Sequence, residues 1–280
     1  MQVCITEKEL KEYIAAAKKA GKSIGFVPTM GALHKGHISL IEESKKQCKF
    51  TVCSVFVNPN QFNDKKDLER YPRQPEKDTE LLKKAGCDLL FMPTEKDIYP
   101  KPYTRKFSFG KLDQVLEGKH RPGHFNGVAQ VVSRLFELVE PDKAFFGLKD
   151  YQQLLVIKDL VKQLKLKIEI VGCAILRDEE NLALSSRNAL LTEEEYDEAT
   201  FIPIWMDEVK KLSTRYKASQ IKARIETLVA QRDKMKLDYF EICDAETLES
   251  IKNFEDAENG SVALIAVHVG KIRLIDNVIL

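Results

Sequence analysis

Two histidines, His34 and His37, stand three residues apart in FVPTMGALHKGHISL (26–40), where an apolar run gives way to an amphipathic one. Residues three apart on a helix share a face, so both rings can point to one side. Imidazole titrates at about 6.5 and can donate hydrogen bonds to phosphate oxygens. Met30, Gly31 and Ala32 precede them and are small or flexible enough for a ligand to lie on the backbone. The start of a helix offers open N–H groups and the positive end of its dipole. The chemistry this suggests is stabilisation of charge on a reacting phosphate.

Four other segments could join it. In LSSRN (184–188), two hydroxyls and the planar Arg187 guanidinium can hold phosphate oxygens. In FFGLKDYQQL (145–154), a strand ends at Gly147, Lys149 offers a point charge, and Gln152 and Gln153 are amides at the start of an otherwise apolar helix face. FVNPNQF (56–62) brings Asn58 and Gln61 to the end of another strand, and RPGHF (121–125) adds Arg121 and His124 before a helix. AGKS (20–23) resembles the end of a Walker A loop, but Ala16 stands where that loop needs glycine and a helix precedes it. Gly21 is read as a helix cap.

The elements that must position these residues alternate in period. Apolar strands are expected at 23–27, 50–57, 88–93, 143–147 and 167–176, with helices at 7–20, 37–47, 75–86, 126–139 and 151–164. Strands separated by helices of this length imply a parallel sheet covered on both faces. In such a sheet, ligands bind at the carboxyl ends of the strands. After about residue 176 the pattern changes. Helices are expected at 192–212 and 218–235, then a strand at 237–244 and a hairpin turning at Gly270 and Lys271. The expected fold is α/β, with a Rossmann-like N-terminal domain over 1–176 and a smaller α+β domain over 177–280.

Composition narrows the class. The 280 residues are 44% hydrophobic and 31% charged, with a net charge of +1. No broad field attracts nucleic acid or an anionic membrane. No apolar stretch reaches the ~18–20 residues of a membrane helix, and no signal-peptide core opens the chain. The six cysteines form no Cys-x-x-Cys pair and mostly sit in apolar runs, as buried thiols of a reducing cytosol do. Cys48 and Cys53 with His34 and His37 match no zinc template.

Taken together, PTMGALHKGH (28–37), VFVNPNQF (55–62), RYPRQPEKD (70–78), RPGHFNGV (121–128), FFGLKDYQQL (145–154) and SSRN (185–188) resemble the pantothenate synthetase, or pantoate–β-alanine ligase, family over nearly the whole chain. The His-x-x-His signature alone would indicate only the wider nucleotidyltransferase superfamily. The resemblance implies ATP-dependent, Mg2+-assisted joining of pantoate to β-alanine through a pantoyl adenylate, with release of AMP and pyrophosphate. It also implies a cytoplasmic homodimer that takes only small-molecule substrates, with no nucleic acid and no membrane partner. By motif match, Met30, Gly31, Ala32, Leu33, His34, Lys35, Gly36 and His37 would hold ATP, and His37 aligns with the family's proton donor. Gly147, Leu148, Lys149, Asp150, Leu176, Leu184, Ser185, Ser186 and Arg187 would complete the nucleotide contacts, with Lys149, both serines and Arg187 on phosphates. The SSRN loop would close over ATP. Gln61 would meet pantoate and then β-alanine, and Gln153 would meet pantoate. Asn58, Tyr71, Arg121 and His124 would line or brace the pocket.

The chain departs from the family pattern at Leu148, usually Glu; at Asn181, usually Gly; at Leu184, usually Met or Lys; and at Asn60, usually apolar. Asn tolerates a left-handed backbone, so Asn181 is expected to replace that glycine without distortion. A nucleotidyltransferase that stops at an adenylated or cytidylylated product, and a catalytically weak binding or regulatory paralogue, are the alternatives. The small-acid pocket at Gln61 and Gln153 favours the ligase. The presence of His34, His37, Lys149, Ser185, Ser186 and Arg187 argues against a decayed site.

Overall fold

Among the described residues, six short strands lie between Gln2 and Cys173: β1 (Gln2–Cys4), β2 (Ile24–Thr29), β3 (Phe50–Val55), β4 (Leu89–Phe91), β5 (Lys143–Gly147) and β6 (Glu169–Cys173). The structure, a computed structural model, describes residues 1–63, 65–101 and 104–280. The six strands form one parallel sheet in the order β1-β4-β3-β2-β5-β6. Apart from the edge strand β1, this is the 3-2-1-4-5 order of a Rossmann fold.

Among the described residues, the helices of this part of the chain are α1 (Glu7–Lys19), α2 (Lys35–Gln47), α3 (Lys65–Arg70), α4 (Pro75–Ala85), α5 (Glu95–Ile98), α6 (Glu117–His120), α7 (His124–Val139) and α8 (Tyr151–Leu164). Strand side chains alternate between two cores, as a period of two requires. Phe26, Val52, Phe91 and Phe146 pack with Leu10 and Ile14 of α1 and the apolar stripes of α7 and α8. Val27, Cys53, Leu90 and Phe145 pack with Leu40 and Ile41 of α2 and Leu82 of α4. Burial on both faces is why these strands read as unbroken apolar runs.

The remainder holds α9 (Glu193–Ala199), α10 (Phe201–Leu212) and α11 (Ala218–Ala230), with an antiparallel sheet β7-β8-β9 of β7 (Met235–Asp244), β8 (Ser261–Val269) and β9 (Ile272–Ile279). Trp205, Val209, Ile221, Ile225, Phe240 and Ile265 centre its core. Packing divides the chain into two compact units, Met1–Leu148 with Gln153–Ala174, and Lys149–Gln152 with Ile175–Leu280.

Several elements differ from expectation, among them the short helices α3, α5 and α6, which were not expected, and the strand expected over 167–176, which spans only Glu169–Cys173. Strand β1 is only three residues long, too short to show a period, and is fixed by its register with Leu89–Phe91. The helix expected over 192–212 breaks at Thr200. Pro203 cannot sit inside a continuous helix, because it lacks an N–H and its ring would strike the carbonyl four residues back, but it fits the first turn of α10. The helix expected over 218–235 ends at Ala230, because Met235 pairs with Val269 and joins the sheet.

Candidate active site

The direction of winding reverses between β2 and β5, and in open α/β sheets the ligand crevice lies outside the carboxyl ends of such strands. The chain leaving β2 there runs through Gly31 (φ +79°) and Ala32 (φ +51°), two successive left-handed residues. For alanine that conformation costs roughly 1–2 kcal/mol and needs support. Asp78, fourth residue of α4, supplies it. Its two carboxylate oxygens accept from the N–H groups of Ala32 (2.9 Å) and Leu33 (2.8 Å), and the residue is buried. A Cβ on Gly31 would lie 2.9 Å from Asp78 Oδ2 and 3.0 Å from Val55, so the turn has no room for another side chain.

The loop delivers His34 as the N-cap of α2 and His37 as its third residue. His34 Nδ1 accepts from the Gly36 N–H (3.1 Å), and His37 Nδ1 accepts from the His34 N–H (3.3 Å). The ring centroids are 4.1 Å apart. A pair expected to line a helix mouth therefore also caps it. The sequence had suggested open N–H groups at the helix start; instead the Gly36 amide is taken by His34, and those of Ala32 and Leu33 are taken by Asp78. The capping has a chemical result: an Nδ1 that accepts leaves the proton of the neutral ring on Nε2. Both imidazoles are thereby fixed as Nε2 donors.

The second wall follows β3. Asn58 caps a 3-10 turn, Pro59–Gln61, and is almost wholly buried. Its amide donates to Gln61 Oε1 (3.2 Å) and to the Gly127 carbonyl (3.1 Å), while Tyr99 donates to its Oδ1 (3.0 Å). Gln61 is held with Nε2 2.9 Å from the Met30 sulfur. His124 donates from Nδ1 to the Gln61 carbonyl (2.9 Å) and accepts from Arg121 at Nε2 (3.1 Å). Arg121 and His124 thus brace Gln61 through its backbone. Tyr71 packs edge-on against Phe62, the residue after Gln61. Gln153 is half-buried in α8, and its amide makes no hydrogen bond among the described residues.

Sequence reasoning missed Asp78 and Gly127. Asp78 looks like an ordinary first-turn acid, but it lies four residues before the buried Leu82 and so on the buried face of α4. Gly127 sits inside α7, where glycine costs roughly 0.5–1 kcal/mol against alanine, and that cost is a signal of close approach. A Cβ there would lie 2.2 Å from the Asn60 carbonyl oxygen. Gly127→Ala is expected to destabilise the fold by about 2 kcal/mol through overpacking and to displace the Gln61 turn. Urea unfolding and steady-state KM for the acid substrate check both effects.

In the second unit, residues 176–184 form a narrow hairpin. Leu184 N–H donates to the Leu176 carbonyl (2.9 Å), and Arg177 bridges to Ala183. Asn181 turns the tip at φ +64°, as expected of a residue standing in for glycine. Asp178 accepts from Leu182 N–H (2.9 Å) and from the Tyr196 hydroxyl (2.9 Å). Ser185 Oγ accepts from the Arg187 N–H (3.1 Å), and Asn188 donates to the Ala183 carbonyl (3.1 Å), which shapes the Ser185–Arg187 turn. The Lys149 ammonium has no carboxylate or hydrogen-bond partner among the described residues. In the first unit, Leu148 is partly buried, packing toward Gly172 and against the apolar core.

All six cysteines are free and buried. Burial pushes the Cys4, Cys87 and Cys243 thiols up to about 12, which removes them as nucleophiles at neutral pH. Among the described residues, no group of three His, Cys, Asp or Glu is placed to hold a metal.

A Rossmann-type sheet with two imidazoles and a braced amide beyond its strand ends has the layout at which open α/β folds bind small polar ligands and nucleotides. Residues 2–279 match the family model described as pantoate-beta-alanine ligase, and the chain belongs to that family. It is 48% identical over 278 residues to a pantothenate synthetase of Porphyromonas gingivalis, covering 99% of each chain. It is 45% identical over 278 residues to that of Bacteroides thetaiotaomicron, covering 99% of this chain and 98% of the other. Among solved structures, pantothenate synthetase from Thermus thermophilus superposes with a TM-score of 0.92 at 38% identity, covering 99% of both chains. A Francisella tularensis pantoate-beta-alanine ligase, complexed with beta-gamma ATP and beta-alanine, gives 0.82 at 35% identity, covering 100% of this chain and 97% of that one. The chain is an enzyme of this family, which ligates pantoate and β-alanine.

Proposed function

We propose that the ligation runs through a pantoyl adenylate. A carboxylate oxygen of pantoate attacks the α-phosphorus of ATP and expels pyrophosphate. The amine of β-alanine then attacks the acyl carbon, the C–O bond to phosphate breaks, and AMP leaves with one former carboxylate oxygen. The substrate supplies the nucleophile, so the protein has to position reactants and stabilise charge. The observation that carries the reading is the His34–His37 capping pair, which presents two Nε2–H donors where β2 ends.

His34 and His37 donate to phosphate oxygens, and His37 supplies the proton-donating contact. Met30 to His37, Gly147 to Asp150, Leu176 and Leu184 to Arg187 bind ATP. Lys149, Ser185, Ser186 and Arg187 act on its phosphates. Gln61 and Gln153 hold pantoate, and Gln61 then holds β-alanine. Asn58, Tyr71, Arg121 and His124 keep Gln61 in place, a role supported by the Asn58 and His124 bonds to it. Mg2+ enters with ATP as part of the substrate. That fits a donor set in which both Asp78 oxygens are committed to backbone N–H groups. Such ions commonly bind through substrate phosphates rather than a protein cage. We place the enzyme in the cytoplasm as a homodimer, a reading supported by the family resemblance. No described helix is long and apolar enough to cross a membrane.

The route is tested with pantoate labelled with oxygen-18 in its carboxylate. One label is expected in AMP and none in free inorganic phosphate. Label in phosphate, with ADP as the other product, would mean attack at the γ-phosphorus and would overturn the adenylate.

A further inference from the structure

Strand β9 breaks its own alternation at Asp276 and Asn277, two adjacent polar residues that are both buried, 2% and 4% exposed. Neighbours on a strand normally face opposite sides, so burying a polar pair requires partners for each. Asp276 takes the Arg177 guanidinium as a fork, with Nη1 at 2.7 Å from Oδ2 and Nη2 at 2.8 Å from Oδ1. The same Nη1 donates to the Asn181 carbonyl (3.0 Å), at the left-handed tip of the 176–184 hairpin. Asn277 Nδ2 donates to the Lys149 carbonyl (2.9 Å). Both residues sit on a strand firmly paired to β8, Asp276 opposite Ile265 and Asn277 opposite Leu264.

We propose that the Asp276–Asn277 pair is the positioning element for the nucleotide-binding segments of the second unit. Through Arg177, Asp276 sets the hairpin that carries Leu176 and Leu184; directly, Asn277 sets the backbone of Lys149. The proposal rests on the assignment of Lys149 and the hairpin to ATP. Segments far apart in sequence are thereby referenced to one rigid dipeptide. A bidentate carboxylate–guanidinium pair fixes orientation as well as distance, and this suits it to hold a loop in register. Neither Asp276 nor Asn277 needs to touch substrate.

The test uses the full-length enzyme with Asn277→Leu, which keeps volume and removes the donor, and Arg177→Lys, which keeps charge and removes the fork. KM is measured separately for ATP, pantoate and β-alanine, together with the melting temperature without ligand. Lys149→Ala is run alongside. Both variants are expected to raise KM for ATP by about tenfold, the effect of about one lost hydrogen bond, with the other two KM values within about twofold. A lowered melting temperature with all three KM values unchanged, or a uniform rise in all three, would overturn the proposal and leave the pair a structural clasp. Should Asn277→Leu fail to fold, Arg177→Lys, whose side chain is a quarter exposed, decides alone. A silent Lys149→Ala would instead remove the assignment of Lys149 to ATP. An impaired Lys149→Ala with silent Asn277→Leu and Arg177→Lys would remove the positioning role only.

Discussion

Replacing His37 with asparagine is expected to lower the rate of adenylate formation by ~10²–10³-fold while leaving the fold standing. The two nitrogens of the ring are given different work in this proposal. Nδ1 accepts the His34 N–H and closes the helix cap, and Nε2 is the nitrogen proposed to donate to phosphate. The amide oxygen of asparagine can replace the Nδ1 acceptor, but nothing replaces the Nε2 donor. Removing one donor aimed at developing charge commonly costs ~10²–10³ in rate, or roughly 3–4 kcal/mol of barrier. Loss of a helix cap costs only about 1 kcal/mol. His37→Gln, whose amide nitrogen reaches toward the Nε2 position, should retain more activity than His37→Asn, and His37→Ala should lose both functions. Single-turnover measurement of AMP formation gives the rates, and thermal unfolding gives the cost of the cap. Equal activity of the Asn and Gln variants would contradict the assignment of the catalytic contact to Nε2.

The second large effect is expected at Asp78. Asp78→Asn should destabilise the fold by about 2–3 kcal/mol and reduce turnover by roughly tenfold or more. The carboxylate accepts from two backbone N–H groups at once. An amide of the same shape offers one acceptor and turns an NH2 group toward the other N–H, leaving two buried donors facing each other. An unsatisfied buried group costs about 1–3 kcal/mol, and bonds to a charged acceptor are the stronger kind. The left-handed turn at Gly31 and Ala32 then loses its anchor, and His34, two residues on, loses its placement at the helix mouth. Urea unfolding reads the stability, and steady-state kcat reads the placement. Wild-type turnover in a destabilised Asp78→Asn protein would show that the loop holds its shape without the carboxylate.

These cases also show where the sequence was informative. The parallel sheet was legible because both faces of each strand are buried, so β2, β3 and β5 appear as apolar runs bounded by helices. The His34–His37 pair was legible because its geometry is local: three residues, one turn, one cap. Asp78 was not, because its partners lie 45 and 46 residues away and its own segment explains it well enough as a helix-start acid. Gly127 reads as a weak point in α7 until the Asn60 carbonyl is seen beside it. The Asp276–Asn277 pair leaves a trace in sequence, two polar residues inside an apolar strand. Only the fold shows that their partners are Arg177 and the Lys149 carbonyl. The broken helix at Thr200 and the early end of α11 are tertiary effects of the same kind, in which a proline and a strand partner override a locally helical pattern.

The most direct test of the adenylate route is exchange of labelled pyrophosphate into ATP, measured with pantoate present and β-alanine absent. Exchange that requires pantoate is the predicted result, because attack of its carboxylate on the α-phosphorus is reversible before the amine arrives. Absence of exchange, in enzyme that makes pantothenate at full rate once β-alanine is added, would contradict a free-standing adenylate half-reaction.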